Sequence, residues 1–490
     1  MKNLFKNLVY VSLMFITVLS CDTFETELEV ENLENPNDNI LTSDPVALEA
    51  TAAGLFNAIY MAIETYYGPG MALNTMADVS SCSWGNVGMR DLSSEPRVAW
   101  NNGVAYGNGF ITNDFFNAMY TNLSDSNTLA KAVESGTNFD SPNLINAVAK
   151  FGQAITIGYN ALIFNKVWLS DENGIFPAGE SGVATDYAAA MTFALTKLDE
   201  AIAIANANSF TVPNSWFNAG GDLSSSELSQ IMSSFGARML AGNSRNGTER
   251  ANTDWARVLA YANAGITSDY EIQHDDTVWY DYFKTYLVYP GWARIDLRTI
   301  NLMDPSYPSY WPADKTVLPE ATSLDARLAS DYGYLSGQNF RPERGTYHYS
   351  SYRYKRYDTY INEWVYPTVW VPATEIQLYA AEAKLWTGDV AGAAAIVNAG
   401  TRVTRGTLAP VAANLNDVLD AIHYERIVEM PLAAAGISFF EMRGSDRLQT
   451  GTLLHFPVPG KALESNSEDG YTYGGTDGTA GVDYSSSGWR

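Results

Sequence analysis

Fifty-five Asp and Glu residues stand against only four histidines and two cysteines in this 490-residue chain. Two carboxylates suffice for glycoside hydrolysis, one as general acid and one as base or nucleophile, if they stand roughly 5 to 10 Å apart. Among so many acids some pair always looks suitable, so abundance assigns no reaction. His274, His348, His423 and His455 are scattered, with no H-E-x-x-H helix and no Cys/His group at metal-ligand spacing. No G-x-S-x-G elbow, Walker A loop or G-x-G-x-x-G turn is present. The neighbours Asp275 and Asp276 could join a calcium site, but two adjacent acids do not define one. No catalytic residue, metal ligand or cofactor site is therefore assigned.

Binding leaves a clearer trace, because aromatic rings make up 13% of the chain. Flat rings stack on the C–H faces of sugars, and neighbouring amide, carboxylate or guanidinium groups meet the hydroxyls. One enriched stretch holds Asp78, Trp84, Asn86, Arg90, Trp100, Asn101, Asn102 and Tyr106 in a context rich in glycine and serine. A second holds Trp279, Tyr280, Tyr282, Trp292, Arg294, Tyr310 and Trp311. The same rings could instead pack loops onto a scaffold. Tryptophans on helical stripes, Trp255 and Trp386, are expected in the core. The stretch from Tyr347 to Tyr360 alternates aromatic and basic residues and predicts a strand leading into a helix.

These loops must be held by helices. Asp44-Pro45 reads as an N-cap followed by proline at the first helical position, and Leu48, Ala52, Leu55 and Ile59 follow at helical spacing. Ser141-Pro142, Asp186, the serines before Glu227, and Asp254 open further stripes. A pair separated by Thr387-Gly388-Asp389 carries Ile376, Tyr379, Ala383 and Trp386, then Val390, Ala394 and Val397. Such pairs resemble tetratricopeptide repeats, degenerate and interrupted by insertions. Between Asp269 and Pro372 helical signals nearly vanish, and an insertion that long is functional or a substructure of its own.

Lys2 and Lys6 precede an uncharged run, Leu8 to Ser20, in the order of a secretory signal too short to span a bilayer comfortably. It ends at Val18-Leu19-Ser20-Cys21, which resembles a lipobox whose cysteine becomes acylated; the alternative is an ordinary signal peptide with an incidental Cys21. No other segment is expected to cross a membrane. Lipidation of Cys21 would leave Cys82 without a disulfide partner. The acidic stretch from Asp22 to Glu31 reads as a tether. The predicted organisation is a signal peptide over 1–20, a lipid-anchored acidic tether over 21–43, and one mainly α-helical domain over 44–490. The formal charge of −25, or −27 without residues 1–20, makes nucleic acid an improbable partner.

Glu425-Arg426-Ile427-Val428-Glu429 and Leu454-His455-Phe456-Pro457-Val458-Pro459 resemble the paired E-R-x-x-E and P-I-P signatures of SusD/RagB-like proteins, with Asn466 downstream. Phe116, Tyr120 and Asn127, then Asp325-Ala326-Arg327-Leu328 and Tyr379-Ala380-Ala381-Glu382-Ala383, match further family motifs in order. Departures include Ala435-Gly436 for Glu-Gly, Ser438 for Arg, Glu441 for Asp and Ala462 for Glu. The resemblance implies a tetratricopeptide-like helical scaffold with irregular insertions forming a ligand-binding face. It also implies an outer-membrane, surface-anchored lipoprotein that delivers oligosaccharide, or in some members peptide, to a SusC-like TonB-dependent β-barrel. It implies no enzyme activity and no cofactor. The pure interaction scaffold and the surface glycosidase remain as rival readings.

Overall fold

The computed structural model describes residues 44–489, except 83–84, 177–182, 313 and 338–348. Cys21, Trp84 and His348, and with them the anchor and one proposed ligand residue, lie outside the described residues. Contacts divide the chain at Leu48, and the unit from Glu49 onward holds the scaffold and its insertions.

The helices that build and carry the site are numbered in chain order: α1 (Pro45–Glu64), α2 (Phe110–Glu134), α3 (Pro142–Ile163), α4 (Tyr187–Ala207), α5 (Ser225–Gly242), α6 (Trp255–Ala264), α7 (Tyr282–Val288), α8 (Ala373–Trp386), α9 (Val390–Ala399), α10 (Leu415–Val428) and α11 (Ile437–Gly444). Most of the start signals read from sequence are real caps, although Ser141 makes no side-chain capping bond to α3 and only Pro142 marks that start. Asp186 accepts from the Ala188 and Ala189 amides, Asp254 from Arg257, and Asp389 from Gly392, while Ser224 and Glu227 form a reciprocal capping box.

Consecutive helices pack from α2 through α6, and α6 then packs on α8, which continues to α9 and α10. This is the tetratricopeptide-like, mainly helical scaffold expected. At its centre α3 is buried on all sides from Ala147 to Ile163, so its polar side chains need internal partners. Lys150 pairs with Glu172 at 2.6 Å and Glu200 at 2.9 Å, and Gln153 donates to Asn127 at 2.8 Å. Close approach demands small residues: a Cβ on Gly158 would lie 2.3 Å from the Met239 sulfur, and one on Gly236 2.8 Å from the Tyr261 ring.

Helix α1 corrects the expectation that no later segment could cross a membrane. By length and composition it could. Its rings are instead spent on the core, where Phe56 and Tyr60 lie 5.5 and 4.9 Å from the fully buried Trp370.

The insertion between α6 and α8 is less irregular than its sequence suggests. Its ends are stitched by antiparallel strands, Tyr270–Gln273 with Pro367–Val371. A second pair, Ser80–Cys82 with Ala293–Ile295, ties it to the early loops, and Tyr352–Tyr354, within the predicted strand, pairs with Tyr332–Tyr334. It also contains α7, which sequence periodicity missed because seven residues are too few to show a stripe.

Buried charge fastens the insertion to the C-terminal helices. Arg327 is 0% exposed and pairs with Asp325 at 2.8 Å, Glu425 at 2.7 Å and Glu429 at 3.0 Å. Next to Glu425 in sequence, Arg426 meets Glu382 and Glu441, both at 2.6 Å, and Arg250 completes that cluster. The sequence motifs around residues 325, 382 and 425 are thus the two sides of buried ion pairs. Arg443 and Arg245 work differently, donating to backbone carbonyls at the ends of α3 and α5.

Candidate functional site

Rings collect where the end of α1 meets α7. The chain leaves α1 at Glu64 and presents Tyr66 and Tyr67 before Gly68 and Pro69. Helix α7 is capped by Asp281, whose carboxylate accepts from the Lys284 amide at 2.7 Å. Phe283, Lys284, Leu287 and Val288 face inward, so Tyr282 and Tyr286, one turn apart, share the other side. Tyr286 lies 4.7 Å from Tyr66, 6.0 Å from Tyr282 and 5.4 Å from Trp292, centroid to centroid. Tyr67 continues the row to Phe110 at 5.6 Å, and Tyr280 extends it beyond Tyr282 at 4.5 Å. Tyr67 is 55% and Tyr286 38% exposed, and nearby Tyr289 is 48% exposed, so these side chains reach solvent.

The sequence-predicted ligand residues divide into three groups. Tyr280 and Trp292 belong to this row and are half-buried. Asn101, Tyr106 and Arg90 lie on the early loops. Asn101 is exposed but its Oδ1 accepts from the Gly103 amide at 3.0 Å, and the Tyr106 hydroxyl donates to Asp91. Arg90 is exposed on a single helical turn, Met89–Leu92. Phe110, which borders the same small crevice as Asn101 and Tyr106, connects these loops to the ring row.

The third group is corrected by burial. Trp100 is 3% exposed, wedged edge-on against Tyr106 and Phe456, and Trp279 is 5% exposed against Tyr60. Neither ring has a face open for stacking. Asp78 is likewise committed, paired with Arg97 at 2.7 Å and accepting from the Trp489 indole at 3.0 Å. Trp311 is only half-buried, so burial does not exclude it; its indole donates to the Tyr349 carbonyl at 2.7 Å. Sequence reasoning missed Tyr66, Tyr67, Tyr286 and Tyr289. The Tyr-Tyr-Gly-Pro exit from α1 and the four-residue spacing of Tyr282 and Tyr286 were the available signals.

Titratable groups near the row have structural duties. Burial raises the Asp275 carboxyl, but amide donors Trp279, Thr277 and Val278 outweigh it and hold the pKa down to about 2. That carboxylate therefore ties a turn. Among the described residues no group of three His, Cys, Asp or Glu is placed to hold a metal. His274 is lowered to about 4 by burial, between the Tyr60 hydroxyl at 2.8 Å and Thr368 at 3.1 Å. His423 and His455 are buried hydrogen-bonders too, beside Glu441 and Arg245.

No protein-family model and no curated protein matches the chain. Solved structures do. A SusD superfamily protein from Bacteroides vulgatus superposes with a TM-score of 0.59 at 13% identity, covering 87% of this chain and 98% of that one. One from Parabacteroides distasonis gives 0.59 at 15% identity, with 86% and 99% covered. Surface glycan-binding protein A from Bacteroides uniformis gives 0.57 at 13% identity, with 86% and 98% covered.

Proposed function

From the SusD-like fold we propose that this chain is a carbohydrate-binding protein of the bacterial surface, with the row from Phe110 through Tyr67, Tyr66 and Tyr286 to Trp292 as its sugar platform. The observation that carries this reading is the continuity of the row. Rings spaced 4.7 to 5.6 Å apart along it, meeting edge-on or tilted and exposed at Tyr67 and Tyr286, offer an extended aromatic strip. A single sugar would need one ring; a strip suits a chain of them. Asn101 and Arg90 on the adjoining loops supply groups that can meet hydroxyls, whereas the Asn102 amide is committed to the Val458 and Tyr471 carbonyls and the Gly460 amide. The surface glycan-binding protein among the structural neighbours is consistent with this use of the fold.

Each stacked ring contributes about 1 kcal/mol, so four or five rings together give affinity of order millimolar. Such affinity suits a protein that must release what it binds. Polysaccharides cast into native gels identify the ligand, and calorimetry with the matching oligosaccharide measures affinity. Tyr67→Ala, Tyr286→Ala and Trp292→Ala are each expected to weaken binding about fivefold, and the triple variant to abolish it, with the melting midpoint nearly unchanged. Trp100→Ala and Trp279→Ala, by contrast, should cost about 3 to 5 kcal/mol of stability. A triple variant that binds like the wild type removes the row as the platform.

In the same reading, the protein is held on the outer membrane by acylated Cys21, with residues 21–43 as tether, and passes its ligand to a SusC-like TonB-dependent β-barrel. One acyl chain binds membranes only marginally, so stable anchoring requires multiple acylation. Protein extracted from outer membranes with mild detergent is expected to carry lipid on Cys21 and to co-purify with a β-barrel. Recovery without lipid overturns the anchor, and recovery without a barrel overturns the partner.

A further inference from the structure

A cavity of about 670 Å³ lies beside α10, and no residue of the ring row lines it. Its floor is α10 itself, with Ala421 buried and Tyr424 half-buried. One wall carries Leu302, Pro305 and Leu324, and the other Leu408, Pro410 and Val411. Both walls are pinned by the chain's own bonds. The Ser323 hydroxyl donates to the Met303 carbonyl at 2.6 Å, the Thr322 amide donates to the Asp304 carboxylate at 2.8 Å, and Asp325 is held by Arg327. On the other side, Val411 and Asn398 of α9 exchange two hydrogen bonds at 2.8 and 3.0 Å. The Ala326 amide reaches the Gly406 carbonyl at 3.1 Å and ties one wall to the other. Leu324, 90% exposed, is thus held in water between two fixed points. A lone exposed leucine needs no explanation, but one on the rim of a preformed, mostly apolar cavity of ligand size does.

The charges in the cavity sit at its two ends. The Arg402 guanidinium lies 6.0 Å from the centre of the Tyr424 ring. Its Nε donates to the Ala409 carbonyl at 3.1 Å, and its two Nη groups have no partner among the described residues. The Asp417 carboxylate accepts from the Asn414 side chain at 2.6 Å and meets no cation among the described residues. Asp420, between them along α10, is already paired with Arg447. At 1.5 Å of rise per residue, the seven steps from Asp417 to Tyr424 set the acidic end about 10 Å from the basic one. Three extended residues span about that length. A purely anionic or cationic ligand would meet its own sign at one end, whereas a zwitterion with an apolar body is matched at both.

We infer that this cavity is a second binding site, for a short apolar peptide with free termini, its carboxylate on Arg402 and its ammonium on Asp417. Leu302, Leu324, Leu408 and Val411 take its side chains. The site needs nothing from the ring row, so it stands or falls separately from the glycan reading.

Calorimetry of the full-length protein with leucyl-alanyl-leucine tests this. The tripeptide is expected to bind once per chain. Acetylating its amine or amidating its carboxylate should each weaken binding about tenfold, as loss of a charge-assisted hydrogen bond does. Asp417→Asn should erase the difference between free and acetylated peptide, and Arg402→Gln that between free and amidated peptide; a merely structural role for either residue would leave both differences in place. Leu324→Ser, at a position too exposed to support the fold, should weaken binding about fivefold with the melting midpoint unchanged. The triple ring variant should bind the tripeptide as the wild type does. No binding of the tripeptide, equal binding of capped and free forms, capping effects that persist in Asp417→Asn and Arg402→Gln, or loss of the tripeptide in the triple ring variant would each overturn the site.

Discussion

Arg327→Met is expected to destabilise the fold by about 3 to 5 kcal/mol, the range for removing one partner of a buried ion pair. The upper end is the better expectation, since one guanidinium serves three carboxylates, Asp325, Glu425 and Glu429, each at most 3% exposed. Glu429 keeps partners in Arg356 at 2.7 Å and in Arg405, and Asp325 keeps the Tyr424 hydroxyl, but Glu425 retains only Thr401. Arg327→Lys should recover a minority of the loss, because a point charge cannot fork to three acids. The pH dependence has a definite sign. Burial raises the Asp325 carboxyl, but Arg327 outweighs it and holds the pKa below the ordinary value. Its stabilisation is therefore present above that value and is lost as pH falls through the depressed one. Acid unfolding of Arg327→Met should begin at higher pH than in the wild type. Urea melts at pH 7 and an acid titration followed by circular dichroism check both. A loss under about 1 kcal/mol would mean the hub is not holding the insertion to α10.

Arg443→Met should cost a comparable amount for a different reason. This guanidinium, 1% exposed, faces carbonyl oxygens rather than acids: Leu162 at 3.0 Å, Leu454 at 2.8 Å, Gly242 at 2.8 Å and Ser244 at 3.2 Å. The last carbonyls of a helix have no intrahelical donor and carry partial negative charge. Here a single side chain closes the ends of α3 and α5 and pins the segment at Leu454 to both. Burial, together with the charge of Arg245, pushes its pKa well down, so the site gains from directed donors more than from charge. Each buried acceptor left without a donor costs about 1 to 3 kcal/mol. Arg443→Met is thus expected to lose about 4 kcal/mol or more, and Arg443→Lys, with its charge kept but its fork gone, nearly as much. Equal stability of the lysine variant and the wild type would show that charge, not geometry, is what the site uses.

The scaffold was legible because its signals are local. Asp186, Ser224, Asp254 and Asp389 act within three residues of themselves, and a stripe such as Leu144 to Leu162 needs only its own helix to be recognised. The arginine hub was legible as a motif but not as a structure, since Arg327 and Glu425 are 98 residues apart. The site was the least legible part. Trp100 and Trp279 are large rings outside helical stripes, yet loops here fold back on the scaffold and bury them. Tyrosines 66, 67 and 286 form a row only because α7 docks beside the end of α1, a meeting that no periodicity in either segment encodes.

Helices α6 and α8 touch directly even though residues 265–372 intervene, and the strands at Tyr270–Gln273 and Pro367–Val371 seal the insertion at its base. The frame is therefore complete without most of what it displays. Lengthening a loop whose ends are already fixed costs little, about 0.6 kcal/mol for each doubling. Drift in the displayed segment can proceed without dismantling the frame, provided anchors such as Arg327 persist. The sequence of the segment between α6 and α8 can therefore change while the two helices keep their mutual packing.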